Sequence, residues 1–114
     1  MQLFPIRVLK GDDVLKYIFP SKQKDVQNII NCAKTMPNVL KIIVFGSALT
    51  WNCGVQSDLD IAIEHDKKLQ FEQIASPFFK NTKGKTDIID YNDIFDNSLK
   101  ENIKKGVVIY GRYA

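Results

Sequence analysis

The sequence has few of the features that mark secreted or membrane proteins. Its 114 residues include two cysteines, Cys32 and Cys53, too few for the disulfide framework of a small extracellular domain. No apolar run approaches the length of a membrane span, and Pro5, Arg7 and Lys10 interrupt the stretch where a secretory signal would be apolar. We therefore expect a reduced, cytoplasmic protein without a membrane partner.

Arginine and clustered positive charge are also scarce. The net charge is +3, and all but two of the 16 basic residues are scattered lysines. A protein that binds along a nucleic-acid duplex favours a basic stripe, which is absent, so duplex binding is not expected. The length and the ordinary apolar fraction of 45% indicate one globular domain with a modest core.

Turn signals divide the chain into alternating extended and helical segments. Extended segments are predicted over residues 3–10, 39–45, 58–64, 86–91 and 107–110. Helices are predicted from the N-cap Ser21 to about Met36, from the N-cap Asp66 over 67–76, and over 96–105, with Pro77 interrupting or kinking the second. A small mixed β-sheet with helices packed on it, α/β or α+β in class, accommodates this order.

The clearest chemical signal lies at the end of one predicted strand and the start of the next. Gly46-Ser47 follows the apolar run 39–45, and ten residues later Asp58 and Asp60 lead into a second apolar run. Glycine allows a sharp turn that a phosphate can approach, and serine adds a hydroxyl and an amide. Two carboxylates on one strand face repel unless a cation separates them, and their hard oxygens suit Mg²⁺. This pattern predicts nucleotide chemistry.

A plainer interpretation makes Ser47 a helix cap and Ser57-Asp58 a polar loop. It does not explain Asp60, which lies inside an otherwise apolar strand where an unpaired charge is costly. We therefore favour the interpretation in which Gly46-Ser47, Asp58 and Asp60 form a site for phosphate and a metal ion.

The strand predicted at residues 86–91 offers a third carboxylate. Asp87 and Asp90 point to opposite faces of a strand, so only one can join the first pair without a bulge. We favour Asp87, whose alternative is a solvated strand end, and interpret Asp90 as a capping or loop-anchoring residue.

Other polar and aromatic residues are open to more than one interpretation. His65, the only histidine, is expected at an exposed strand end. Trp51 is open to base stacking, buried packing or a partner contact. Several lysines are interpreted as solvated faces or turns, with phosphate binding as the alternative: Lys67, Lys68, Lys83, Lys85, Lys104 and Lys105.

These motifs resemble the minimal nucleotidyltransferases of the DNA polymerase beta-like superfamily. The resemblance is carried by Gly46-Ser47, by residues 57–63 and 86–90, and by the ending over residues 99–110. It implies a single nucleotidyltransferase domain over residues 1–114, with an N-terminal extension and helix over 1–38 and a catalytic core over 39–110.

The resemblance also assigns roles to the candidate residues. It implies that Asp58, Asp60 and Asp87 hold two divalent cations, Mg²⁺ with Mn²⁺ as the alternative. It further implies that Gly46 and Ser47 bind the triphosphate of an incoming nucleotide, with ATP as the default. The reaction would be two-metal nucleotidyl transfer.

A partner is implied as well. Minimal nucleotidyltransferases are commonly paired with a helical HEPN protein, a ribonuclease toxin, and act as its antitoxin by adenylylating a tyrosine. We therefore expect AMP transfer from ATP to a hydroxyl of such a partner.

Two other functions and the oligomeric state stay open. Ala48 follows Gly46-Ser47 where the family often has a basic residue. A non-catalytic module that binds a helical partner is therefore one alternative. Modification of a small antibiotic is the other alternative, and the lack of room for an acceptor domain disfavours it. Self-association is also left open.

Overall fold

A computed structural model describes residues 2–112 of the chain. Within that range, a four-stranded sheet is combined with three α-helices and short 3-10 turns. The strands are β1 (Val39–Phe45), β2 (Leu59–His65), β3 (Thr86–Asp90) and β4 (Val107–Gly111). The helices are α1 (Gln23–Ala33), α2 (Phe71–Lys80) and α3 (Asn97–Lys104). The predicted mixed sheet with packed helices is confirmed.

The strand order brings the predicted motifs to one edge of the sheet. The order is β3-β2-β1-β4, with β1 antiparallel to both β2 and β4, and β2 parallel to β3. Phe45 at the end of β1 lies opposite Asp60 near the start of β2, and Asp60 lies opposite Asp87 near the start of β3. The glycine-serine turn and the two strand starts that carry aspartates are therefore neighbours.

Helices cover both faces of the sheet because the central strands are apolar on both sides. The first face packs against α1 and α2, through a core that includes Ile29, Ile42, Ile61, Ile63, Ile74 and Phe78. The second packs against α3, through Ile43, Phe45, Ala62 and Ile103. Burial of each large apolar side chain contributes about 1.5–3 kcal/mol, so this two-sided core holds the strand starts in register. Within residues 2–112, no helix has both the length and the apolar character to cross a bilayer.

The strand predicted over residues 3–10 is wrong. The segment has no strand pairing, and two of its backbone groups hydrogen-bond to the side chain of Gln23 instead. Arg7 N donates to Gln23 Oε1 at 2.8 Å, and Gln23 Nε2 donates to Pro5 O at 2.8 Å. A fully buried side-chain amide thus replaces the ladder of a neighbouring strand.

Neither of the two predicted N-caps, Ser21 and Asp66, starts a helix. Ser21 lies in a 3-10 turn that starts at Pro20, and α1 begins only at Gln23. Asp66 accepts from Lys68 N at 3.0 Å and from the amide of Asn38, forming a turn rather than a helix start. The backbone hydrogen bond from Lys68 is the main cause that lowers the pKa of Asp66.

The second helix starts later and ends later than the sequence predicts. It begins at Phe71, where Gln70 and Gln73 form a reciprocal capping box. It then continues through Pro77 to Lys80 rather than ending near residue 76. Proline removes one backbone donor, but Phe78 on the same turn is fully buried, and its packing offsets that loss.

Candidate active site

The turn after β1 requires glycine. Gly46 has φ +80°, in the left-handed region that side chains disfavour, and starts the 3-10 turn Gly46–Leu49. A Cβ atom at this position would lie 2.6 Å from Asp60 Oδ2. The backbone of the turn therefore packs directly on the carboxylate of Asp60, and Ser47 follows it half-buried.

Asp60 lies against this turn, and Asp58 and Asp87 are close enough to Asp60 to interact with it electrostatically. Asp60 and Asp87 are partners across the parallel β2–β3 pair and so share a face of the sheet. Burial raises the pKa of Asp60, and the negative charges of Asp87 and Asp58 raise it further. Asp58 lies just before β2, with Oδ1 3.8 Å from Lys85 Nζ. The carboxylates of Asp58, Asp60 and Asp87 are thus electrostatic neighbours on one edge of the sheet.

The donor set suits a divalent cation, although it is not a preformed cage. Within residues 2–112, no three His, Cys, Asp or Glu side chains already converge as metal ligands. Mutual repulsion of three carboxylates is the condition that a bound cation relieves, and hard oxygen donors match Mg²⁺ or Mn²⁺. The residues therefore fit the predicted metal in chemistry, and the ion would draw them closer together.

Asp90 lies outside this cluster and has a structural task. It accepts from Asn92 N at 3.0 Å, which confirms the capping interpretation. Its Oδ1 also lies 2.9 Å from His65 Nε2. The expectation of an exposed His65 is wrong, because the ring is 7% exposed and packs near Phe71. His65 and Asp90 brace the far end of β2 and do not reach the aspartate cluster.

A groove beside the turn places the positively charged side chain of Lys105 near the uncharged turn. Its volume is about 430 Å³, and its walls include Gly46 and Ser47 from the turn and Asn102 and Lys105 from the end of α3. Residues 46–52 carry no charged side chain. Gly106, which follows Lys105, lies so close to β1 that a Cβ atom on it would be 2.5 Å from the carbonyl oxygen of Val44. This contact holds the end of α3 beside the turn.

Asn102 is a candidate residue that the sequence interpretation missed. Its spacing of three from Lys105 places both on one helix face, but only the packing of α3 shows which element that face meets. Trp51, also near the turn, is 60% exposed and packs against Phe4 at 4.8 Å and Phe19 at 5.9 Å between ring centroids. It is part of an aromatic cluster with one exposed side.

Comparison with known families agrees with this geometry. The sequence model of the family described as "Polymerase beta, Nucleotidyltransferase" matches residues 27–113. The chain belongs to this family. The predicted resemblance to DNA polymerase beta-like nucleotidyltransferases and the predicted fold are confirmed. No curated protein sequence matches the chain.

Solved structures share the fold of this nucleotidyltransferase. One is the complex of a tri-AMPylated Shewanella oneidensis HEPN toxin with its MNT antitoxin, at 21% identity and TM-score 0.56 over 79% of this chain and 72% of that chain. A toxin–antitoxin structure with AMP-PNP matches at 21% identity and TM-score 0.57, over 77% and 74%. A Sulfolobus solfataricus protein assigned as a nucleotidyltransferase matches at 19% identity and TM-score 0.52, over 90% and 91%. At such identities the likeness shows the fold.

Proposed function

We propose that this nucleotidyltransferase moves AMP from ATP to a hydroxyl of a partner protein, as the antitoxin of a HEPN-type toxin. The observation that carries the proposal is the register of Asp60 with Asp87 beside the turn at Gly46. The family supports nucleotidyl transfer. A structure of the same fold contains an AMPylated toxin, which supports the choice of acceptor. Because ATP is the proposed donor, the proposed location is the cytoplasm.

The triphosphate would lie in the groove beside the turn. The exposed backbone at Gly46 lets a phosphate approach, and Ser47 offers its hydroxyl and amide. Lys105, on the opposite wall of the groove, would offset phosphate charge, with Asn102 as a hydrogen-bond donor. This arrangement compensates for the uncharged residues 46–52.

Asp58, Asp60 and Asp87 would hold the two divalent cations. Bound cations of this kind neutralise developing charge and lower the pKa of an attacking hydroxyl. Asp60 is held by its strand neighbours and by the turn packed against it, and the carboxylates of Asp58 and Asp87 would move toward it when a cation binds. The acceptor hydroxyl would lose its proton to water and its oxygen would bond to the α-phosphorus, while the bond from that phosphorus to the bridging oxygen of the β-phosphate breaks and releases pyrophosphate.

The open edge of the site favours a macromolecular acceptor. Asp87 and Gly46 are exposed, so a partner can approach the carboxylates directly. Trp51, five residues after Gly46 and 60% exposed, adds apolar surface near the turn. Exposed apolar surface next to polar groups is typical of protein interaction sites.

A labelling experiment tests the proposal. The chain and a HEPN-type protein are incubated with α-labelled ATP and Mg²⁺ or Mn²⁺, and the label on the HEPN-type protein is measured. We expect label with the wild type and none with Asp60→Asn, whose thermal unfolding should stay near that of the wild type because the side chain keeps its size. Label transfer by Asp60→Asn at the wild-type rate would exclude this active site.

The second candidate is a partner-binding module without catalysis. It is favoured by one observation, the lack of a charged side chain at residues 46–52, where the family often has a basic residue after Gly-Ser. A stable complex with the HEPN-type protein, with no label transferred at any metal concentration, would support it over the enzyme.

A further inference from the structure

Two charged side chains at the start of α1 are buried, which is unusual for lysine and aspartate. Lys22 is 4% exposed and Asp25 is 8% exposed. Buried charges are costly unless hydrogen bonds satisfy them, so their partners identify what these residues hold. Both residues lie outside the stretch 27–113 that matches the family.

The first charge holds the segment that leads into β2. Lys22 Nζ donates to the carbonyl oxygen of Ser57. Ser57 directly precedes Asp58, and β2 starts at Leu59. The ammonium group of Lys22, the residue just before α1, thus holds the backbone next to the first candidate metal ligand.

The second charge holds the segment that leads into β3. Asp25 Oδ1 accepts from Lys83 N at 2.9 Å, and Oδ2 accepts from Gly84 N at 2.9 Å. β3 starts two residues later at Thr86, with Asp87 next to it. Both oxygens of one carboxylate therefore fix the turn before the third candidate ligand.

The two anchors meet at Gly84. A Cβ atom on this glycine would lie 3.1 Å from Asp25 Oδ2 and 3.9 Å from Lys22 Nζ. The first bond between the two anchored segments follows directly, as Leu59 N donates to Lys85 O at 2.9 Å. One turn of α1 thus touches both segments where the parallel pair begins.

We propose that Lys22 and Asp25 are positioning residues that set the spacing between the carboxylates of β2 and β3. The inference rests on the proposed nucleotidyl transfer. Strand ends fray, and the carboxylates of Asp58, Asp60 and Asp87 repel one another, so the strand starts tend to separate before a cation binds. The hydrogen bonds of Lys22 and Asp25 hold the loops before β2 and β3 against the start of α1 and so oppose that separation.

The expected effect is on catalysis rather than on nucleotide binding. A displacement of about 1 Å in a reacting group costs about 100-fold in rate. Lys22→Met and Asp25→Ala should therefore lower kcat by about 10–100-fold while the KM for ATP changes by less than about twofold, because the phosphate groove is built from other elements. Asp25→Asn keeps one acceptor oxygen and should give an intermediate kcat.

The experiment uses the full chain with its HEPN-type partner and three readouts. These are kcat and the KM for ATP, Mn²⁺ affinity by electron paramagnetic resonance without nucleotide, and the thermal unfolding midpoint. The matched control is Lys24→Met, since Lys24 is exposed at the start of the same helix. We expect Mn²⁺ affinity to fall with kcat in the Lys22 and Asp25 variants, and neither to change in the control.

The outcomes separate this inference from the proposed function. Wild-type kcat and Mn²⁺ affinity per folded molecule in Asp25→Asn and Lys22→Met would overturn the positioning role, even if their unfolding midpoints fall. Should Asp25→Ala fail to fold, Asp25→Asn and Lys22→Met still decide. A wild-type chain that neither binds Mn²⁺ nor transfers AMP would instead refute the proposed function, and this inference with it.

Discussion

Replacing Gly46 with alanine should damage both the fold and the site. The backbone there has φ +80°, and holding alanine in that region costs about 1–2 kcal/mol. The added Cβ would also lie 2.6 Å from Asp60 Oδ2, well inside van der Waals contact. Relief requires a shift of roughly 0.8 Å in the carboxylate or the turn, at a further cost of about 1 kcal/mol. We expect a total loss of about 2–3 kcal/mol, or roughly 10 °C in the unfolding midpoint.

The same shift should reduce AMP transfer by about 10–100-fold, since it moves a proposed metal ligand. Thermal unfolding followed by circular dichroism, with transfer of α-labelled AMP at saturating ATP, measures both effects. Gly54→Ala is the matched control, because the nearest atom to its added Cβ is Ser57 Oγ at 3.7 Å, an ordinary contact. A Gly46→Ala protein as stable and active as this control would show that the turn does not pack on Asp60 as described.

Three further predictions concern other parts of the molecule. Lys105→Ala should raise the KM for ATP about tenfold with little change in kcat. Lys104→Ala is the control, because Lys104 does not line the proposed phosphate groove, and its KM should stay at the wild-type value. Equal KM values for the two variants would show that Lys105 does not bind the triphosphate. Phe78→Ala should lower the free energy of unfolding by about 3–5 kcal/mol in urea titrations, against a much smaller effect at the half-exposed Phe79. The pKa of Asp66 is lowered from 3.8, so the stability from its ionised form is complete above that pH and is lost as the pH falls through the folded-state pKa. The advantage of the wild type over Asp66→Asn should therefore shrink between about pH 5 and pH 2, and a gap that is constant with pH would contradict this.

Sequence periodicity was sufficient where a pattern is local and strongly apolar. β1 has the predicted bounds of residues 39–45, because an apolar run interrupted only by Lys41, with Pro37 before it and Gly46 after it, permits few other structures. The two-residue period of a strand predicts that only one of Asp87 and Asp90 can join Asp60, and the favoured residue, Asp87 at the strand start, is the register partner of Asp60. Here local rules also determine the position of the candidate site.

Most of the failures have a different cause, which is competition from partners distant in sequence. Asp66 can cap a helix, but the amide of Asn38, 28 residues away, donates to its carboxylate instead. The error at Ser21 is local, because the 3-10 turn that starts at Pro20 includes this residue and α1 begins after it. The anchoring role of Asp25 involves a turn 58 residues away, and no periodic pattern reports such a contact. The sequence signal for this role was the spacing of four residues between Asp25 and Ile29, which places a carboxylate on the apolar side of the predicted helix.

We propose that the aspartates beside the glycine-serine turn catalyse AMP transfer to a partner protein. The decisive measurement is intact-mass spectrometry of a HEPN-type protein expressed together with this chain, either wild type or Asp60→Asn. We expect a mass increase of one or more AMP groups with the wild type and an unmodified mass with the variant. An unmodified HEPN-type protein in both samples, although it binds the wild-type chain stably, would refute AMP transfer at this site.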